Sequence, residues 1–195
     1  MTSHPPPTFG QLAACFDNTR LELFVLPTEQ CNFRCTYCYE DFEIGRMSDE
    51  TARGVMALLD RRAPELRRLT IRWFGGEPLI ACDRVEQISA HAQRLAARHG
   101  IAYRGTMTTN GYRLGPARLA RLVGLGVDRY QVSLDGPGAV HDRTRRRRGG
   151  QGSFDRIWEN LVAARESAVD FGVLLRIHLT PENLDAMPDF LVAVR

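Results

Sequence analysis

The chain has 195 residues, enough for one domain with a sizeable core. Charged residues make up 25% and hydrophobic residues 44%, a soluble globular balance that leaves no room for a disordered chain. Net charge is only +3, too little to argue for nucleic acid or another polyanion, and all 26 basic residues are arginine.

Residues 1–20 read as an N-terminal leader, with Pro5-Pro6-Pro7 but no basic start followed by an apolar run. No signal peptide or membrane span is therefore expected, and the expected location is cytoplasmic. Beyond the leader, strands are expected over residues 21–27, 69–75, 102–109, 129–135 and 172–179. Helices are expected over residues 49–62, 84–99, 116–124, 154–168 and 182–194. Ser48, Asp83 and Ser153 stand at N-cap positions, and Thr180-Pro181 fits a cap followed by proline at the first helical position. Val85, Ile88, Ala92 and Leu95 share one face of the second helix. Strand–helix alternation implies right-handed crossovers and a parallel sheet, an α/β fold.

The strand patterns say more. A parallel strand buried on both faces is apolar throughout. Here Gln131, Ser133 and Asp135 share one face, with Val132 and Leu134 opposite; Arg176, His178 and Thr180 oppose Val173, Leu175, Ile177 and Leu179. Helices cover the apolar face, so the polar face lines a wet or ligand-filled concavity.

The chemistry concentrates in Cys31-Asn-Phe-Arg-Cys35-Thr-Tyr-Cys38. Thiolates are soft ligands that suit zinc and iron–sulfur clusters. A structural zinc site takes a fourth ligand. The next cysteine is Cys82, and no histidine lies between Cys38 and His91. A cubane on three cysteines leaves one iron open to a further ligand. Cys15 and Cys82 are expected to be ordinary free thiols, as a reducing compartment allows.

Four further segments follow in order: Gly75-Gly76-Glu77-Pro78, Thr109-Asn110-Gly111, Ser133-Leu134-Asp135-Gly136 and His141-Asp142. With the cysteine loop and its Tyr37, they resemble the radical S-adenosylmethionine (SAM) superfamily, in the branch of SPASM-type peptide- and sulfatase-maturating enzymes. The resemblance spans roughly residues 21–185. It implies a partial parallel (β/α) barrel over residues 21–195, truncated after five βα units, because related enzymes carry a sixth unit and a cysteine-rich domain. It implies a 4Fe–4S cluster on Cys31, Cys35 and Cys38, with SAM chelating the open iron and cleaved to a 5′-deoxyadenosyl radical.

SAM contacts are expected from Tyr37, Gly75, Gly76, Glu77, Pro78, Asn110, Ser133, Asp135 and Arg176. Glu77 and its neighbours would meet the SAM amino group, Ser133 and Asp135 a ribose or carboxylate, and Asn110 either SAM or its own loop. Arg176 faces either a ligand carboxylate or a structural ion pair. His141-Asp142 reads as a loop-fixing or helix-entry pair, and Arg145–Arg148 as a solvated run. Implied partners are a peptide or protein substrate and an electron donor such as flavodoxin or ferredoxin, with no nucleic acid and no membrane. The alternatives are a non-catalytic Fe–S or SAM-binding remnant and a zinc-binding interaction module.

Overall fold

The computed structural model describes residues 6, 8–10 and 16–194, so Cys15 and most of the leader lie outside the described residues. Seven strands are described: β1 (Arg20–Val25), β2 (Phe33–Cys35), β3 (Arg68–Trp73), β4 (Ala102–Thr109), β5 (Val127–Ser133), β6 (Arg145–Arg147) and β7 (Gly172–Arg176). Six helices join them: α1 (Asp49–Arg62), α2 (Cys82–His99), α3 (Pro116–Gly124), α4 (Gly138–Thr144), α5 (Phe154–Arg165) and α6 (Met187–Ala193). No helix among them is long and apolar enough to cross a membrane.

The main sheet runs β1-β3-β4-β5-β7, parallel throughout. Its order never reverses. Right-handed crossovers that always step in one direction place every covering helix on the same face, as in a barrel wall. Burial agrees. On β3, Leu69, Ile71 and Trp73 are buried beneath the helices while Arg68 and Arg72 are exposed. On β5, Val127, Tyr130 and Val132 are buried, and Gln131 and Ser133 face the other way. The α2 stripe of Val85, Ile88, Ala92 and Leu95 is buried against the sheet. Each such side chain contributes about 1.5–3 kcal/mol of apolar transfer. A five-strand wall with one bare face is the expected part-barrel.

Several local expectations need correction. Ser48 caps α1 by accepting from Thr51 N, as its position suggests. Asp83 is no cap: α2 starts at Cys82, and Asp83 pairs with Arg46 instead. Ser153 precedes α5 but makes no capping bond; Asp142 Oδ1 accepts from Ser153 N and Phe154 N. The fifth strand ends at Arg176, and Leu179 is exposed. The last helix begins at Met187 after a short 3₁₀ turn, and Asn183 Oδ1 accepts from Thr180 N. There, Asn183 out-competes a Thr180 cap because its Nδ2 also bonds the Asp135 and His178 carbonyls.

Candidate functional site

The five motif segments meet at the C-terminal ends of the strands. The cysteine loop leaves β1, crosses the rim and forms β2, which pairs antiparallel with β6. Cys35 sits opposite Arg145 in that pairing. Arg34 packs on the Phe42 ring at 3.9 Å, and Gln30 donates to the Phe42 carbonyl, so the outer part of the loop is also pinned.

Gly75-Gly76 lies directly under the approach to Cys31. Gly76 N donates to Thr28 O and Glu77 N to Gln30 O, at 3.2 and 3.0 Å. A Cβ on Gly76 would stand 2.1 Å from Glu29 O and 2.7 Å from Gln30 O. Gly75 adds a φ of +107°, which side chains avoid. These glycines are demanded by close approach of the chain's own backbone.

Glu77 is fully buried. Its Oε1 accepts from Leu79 N and Thr109 Oγ1, and its Oε2 from Asn110 N. Burial pushes its carboxyl upward, and these donors pull it back. Pro78 opens the short 3₁₀ turn that Glu77 caps. Asn110 closes the same network. Its Oδ1 accepts from Tyr112 N, while Nδ2 donates to Asn32 Oδ1 at 2.9 Å and faces Cys31 Sγ at 3.8 Å. Asn110 thus ties its own loop to the cysteine loop.

Asp135 is bound within the rim. It is 2% exposed and lies two residues beyond the end of β5. Its Oδ1 accepts from His178 N, and its Oδ2 from Tyr37 Oη and Thr144 Oγ1. The carboxylate is consumed by protein donors. Tyr37 is held on both sides: its ring stacks on His178 at 4.3 Å, and its hydroxyl accepts from Arg145 Nη1 at 2.8 Å. Ser133 and Arg176 are the members of the set that open onto the bare face, in register on β5 and β7. Arg176 joins no ion pair among the described residues.

His141-Asp142 has the helix-entry role. Buried His141 accepts from Asp135 N at Nδ1, so Nε2 carries the proton and donates to Ser153 Oγ. Ser153 then donates to Arg145 O at 2.7 Å. Burial holds the imidazole down at about 4, with Arg145 adding to that, so the ring is neutral.

Sequence reasoning missed Arg145, taken as part of a solvated run. It is 7% exposed, and its buried Nε has no hydrogen-bond partner among the described residues. Burial opposes its charge, but Cys35, Tyr37 and Asp135 outweigh burial and keep the guanidinium charged. Only its place opposite Cys35 reveals it, and that pairing is not a sequence signal.

Cys31, Cys35 and Cys38 are free thiols, half-buried at Cys31 and Cys35 and exposed at Cys38. Burial pushes the Cys31 thiol up to about 12 and raises Cys35 too. Metal binding needs thiolates. Among the described residues no three His, Cys, Asp or Glu side chains gather around a single ion. A cubane takes one thiolate per iron, so it asks for thiols spread over its corners. Three soft donors beside a buried cation with an unspent N–H fit an anionic iron–sulfur group.

Comparison with known families matches residues 25–193 to the Radical SAM superfamily. GTP 3',8-cyclase of Mycobacterium sp. (strain KMS) is 33% identical over 187 residues, 94% of this chain and 48% of that protein. GTP 3',8-cyclase 2 of Mycobacterium tuberculosis (strain ATCC 25618 / H37Rv) is 33% identical over 142 residues, 69% of this chain and 37% of that protein. The chain thus spans about half or less of these relatives. Among solved structures, anSMEcpe with bound AdoMet and Kp18Cys peptide superposes with a TM-score of 0.76 at 20% identity, over 90% of this chain and 49% of that one. Streptococcus suis SuiB bound to precursor peptide SuiA gives 0.62 at 17% identity, over 90% and 37%. At such identities these two show the fold, a partial radical SAM barrel. With a family match along nearly its whole length and a three-thiol loop at the rim of that barrel, the chain belongs to the Radical SAM superfamily, enzymes that use a 4Fe–4S cluster and SAM.

Proposed function

We propose that Cys31, Cys35 and Cys38 hold the 4Fe–4S cluster and that the domain modifies a peptide or protein side chain on its concave face. When bound, cluster and SAM together supply radical abstraction of a hydrogen atom from an unactivated carbon. The observation that carries the reading is the position of three thiols on a pinned loop beside the bare face of a parallel part-barrel.

The chain's own residues divide the work. Gly75, Gly76, Glu77, Pro78 and Asn110 fix the loop that presents Cys31. Asp135 positions Tyr37 and the turn at His178. Ser133 and Arg176 remain available to SAM hydroxyl and carboxylate groups, Arg176 by a charge-assisted bond. The concave face mixes exposed Phe24, Leu26 and Leu174 with Thr106, Thr108 and Gln131, a surface suited to both the side chains and the amides of a peptide. The free state of the described cysteines suits a cytoplasmic setting.

A nucleotide substrate is the second reading, favoured by identity to GTP 3',8-cyclases. Apart from Arg176, the concave-face arginines weigh against it. Arg72 pairs with Glu22, and Arg104 and Arg129 both lie near Asp128, at 3.5 and 3.6 Å. Cations already compensated are poor receivers of a triphosphate.

The test is anaerobic reconstitution, then SAM and dithionite. About four irons per chain and release of deoxyadenosine are expected. Loss of both in Cys31→Ser, Cys35→Ser and Cys38→Ser is expected as well. A chain that takes up zinc in preference to iron overturns the proposal. GTP turnover without turnover of any peptide overturns the substrate assignment alone.

A further inference from the structure

On the concave face Arg129 stands in register between Thr106 of β4 and Gly172 of β7. Two residues nearer the rim, Gln131 stands between Thr108 and Leu174. Arg72, Thr106, Thr108, Arg129, Gln131 and Leu174 line a hollow of ≈ 190 Å³. Small-molecule pockets run from about 300 Å³ upward, so this hollow takes a side chain rather than a whole nucleotide. Along β5 it lies about 13 Å below Ser133, away from the rim.

The hollow is built around Arg129. The β4–β5 register shifts between Gly105 and Thr106, which leaves Asp128 as the extra residue of a bulge and turns Arg129 to the concave side. There its Nη1 donates to Asp128 O at 2.9 Å. A Cβ on Gly172 would stand 3.1 Å from Arg129 Cδ, so the bare glycine makes room for this side chain across β7. Among the described residues the rest of the guanidinium donates no hydrogen bond. Neither does the Thr106 hydroxyl or the Gln131 amide. Unspent donors from three side chains converge on one small hollow.

Charge selects what they receive. Glu22 offsets Arg72, but Arg104 and Arg129 share one carboxylate, Asp128, at 3.5 and 3.6 Å. Two cations on one anion leave one positive charge over. A single carboxylate matches that surplus, and a triphosphate far exceeds it. Exposed Leu174 at the edge of the hollow offers apolar contact to the methylenes that carry such a carboxylate.

We propose that Arg129, with Thr106 and Gln131, receives the carboxylate of an Asp or Glu side chain of the peptide substrate. This rests on the peptide reading above and narrows it to acidic peptides. The contact is a charge-assisted hydrogen bond that positions the substrate; no covalent step takes place in the hollow.

The test selects a displayed library of random decapeptides on the anaerobically reconstituted chain with saturating SAM. Each peptide is joined to its carrier at the C-terminus, so only side-chain carboxylates are on offer. Asp and Glu are expected at one aligned position at least about tenfold more often than Asn and Gln. Arg129→Gln should abolish that preference, and Arg129→Glu should replace it with Lys and Arg, which a merely structural role would not do. Thr106→Val removes one donor and should lower the enrichment about threefold. Iron content and urea midpoint should match the parent in all three variants. Acidic enrichment that survives Arg129→Gln or Thr106→Val overturns the proposal, as do selected peptides with no acidic preference; the peptide reading stands in both cases. An iron-loaded parent chain that selects no peptide overturns that reading, and this inference with it.

Discussion

The two sides of the sheet are held together by different physics. Beneath the helices, Leu69, Ile71, Trp73, Ile88 and Leu122 form an apolar layer almost without exposure. At the rim, Glu77, Asn110, Asp135, His141 and Arg145 are buried almost as deeply, yet every one is polar. The apolar layer tolerates volume-conserving exchange because its attraction is non-directional. The rim does not, because each buried polar group needs its own partner at a set distance and angle. The family motifs are therefore first of all the rim's internal scaffold: Glu77 and Asp135 spend their oxygens on protein donors that place the cysteine loop.

Breaking one group on each side sharpens that contrast. Glu77→Ala leaves Leu79 N, Thr109 Oγ1 and Asn110 N without their acceptor. At about 1–3 kcal/mol for each stranded group, a loss of about 4 kcal/mol or more is expected, with failure to take up iron. Ile88→Ala, in the apolar layer, is expected to cost about 2–5 kcal/mol in urea unfolding. Below its lowered melting point this variant should still load iron. Equal iron uptake by the two would contradict the division.

Gly76→Ala drives a methyl into the Glu29 and Gln30 carbonyls, which are backbone and cannot rotate away. A loss of about 2–3 kcal/mol is expected, with displacement of the thiols visible as altered reactivity of Cys31 toward a thiol reagent.

pH probes the rim through His141. His141 is held at about 4 when folded, against an ordinary 6.5. Between these values the unfolded chain binds a proton that the folded chain refuses. Stability should therefore be complete above pH 6.5 and decline as pH falls toward 4, by at most about 3 kcal/mol. Urea midpoints measured across that window test the sign, and His141→Gln should flatten this part of the slope. The smallest effect belongs to the bare face: Arg72→Ala removes a half-exposed pair with Glu22 and should change stability by no more than about 0.5 kcal/mol.

Much of the fold was legible because its signals are local. The helices at residues 49–62 and 116–124 match the expected ranges, and the two-faced pattern of β5 exposed the bare face. The β2–β6 pair was not legible. Each strand has three residues, and Arg-Arg-Arg carries no apolar alternation. A run that looked uniformly solvated is split by its pairing into buried Arg145 and exposed Arg146. The partners of Asp135 were not legible either: β5 stops at Ser133, and beyond it the carboxylate accepts from Tyr37, Thr144 and His178.

By itself the amino-acid order determined five strand–helix units, a wall with one apolar and one polar side, and three sulfur donors without a fourth. Those properties depend on neighbours within a few residues along the chain. Only the tertiary structure decided which polar groups are spent and which are free. Tyr37 meets Asp135 across 98 residues and Arg145 across 108, and Thr109 meets Glu77 across 32. Hydrogen bonds act over about 3 Å, so such partners exist only once the strands have brought their ends to one rim.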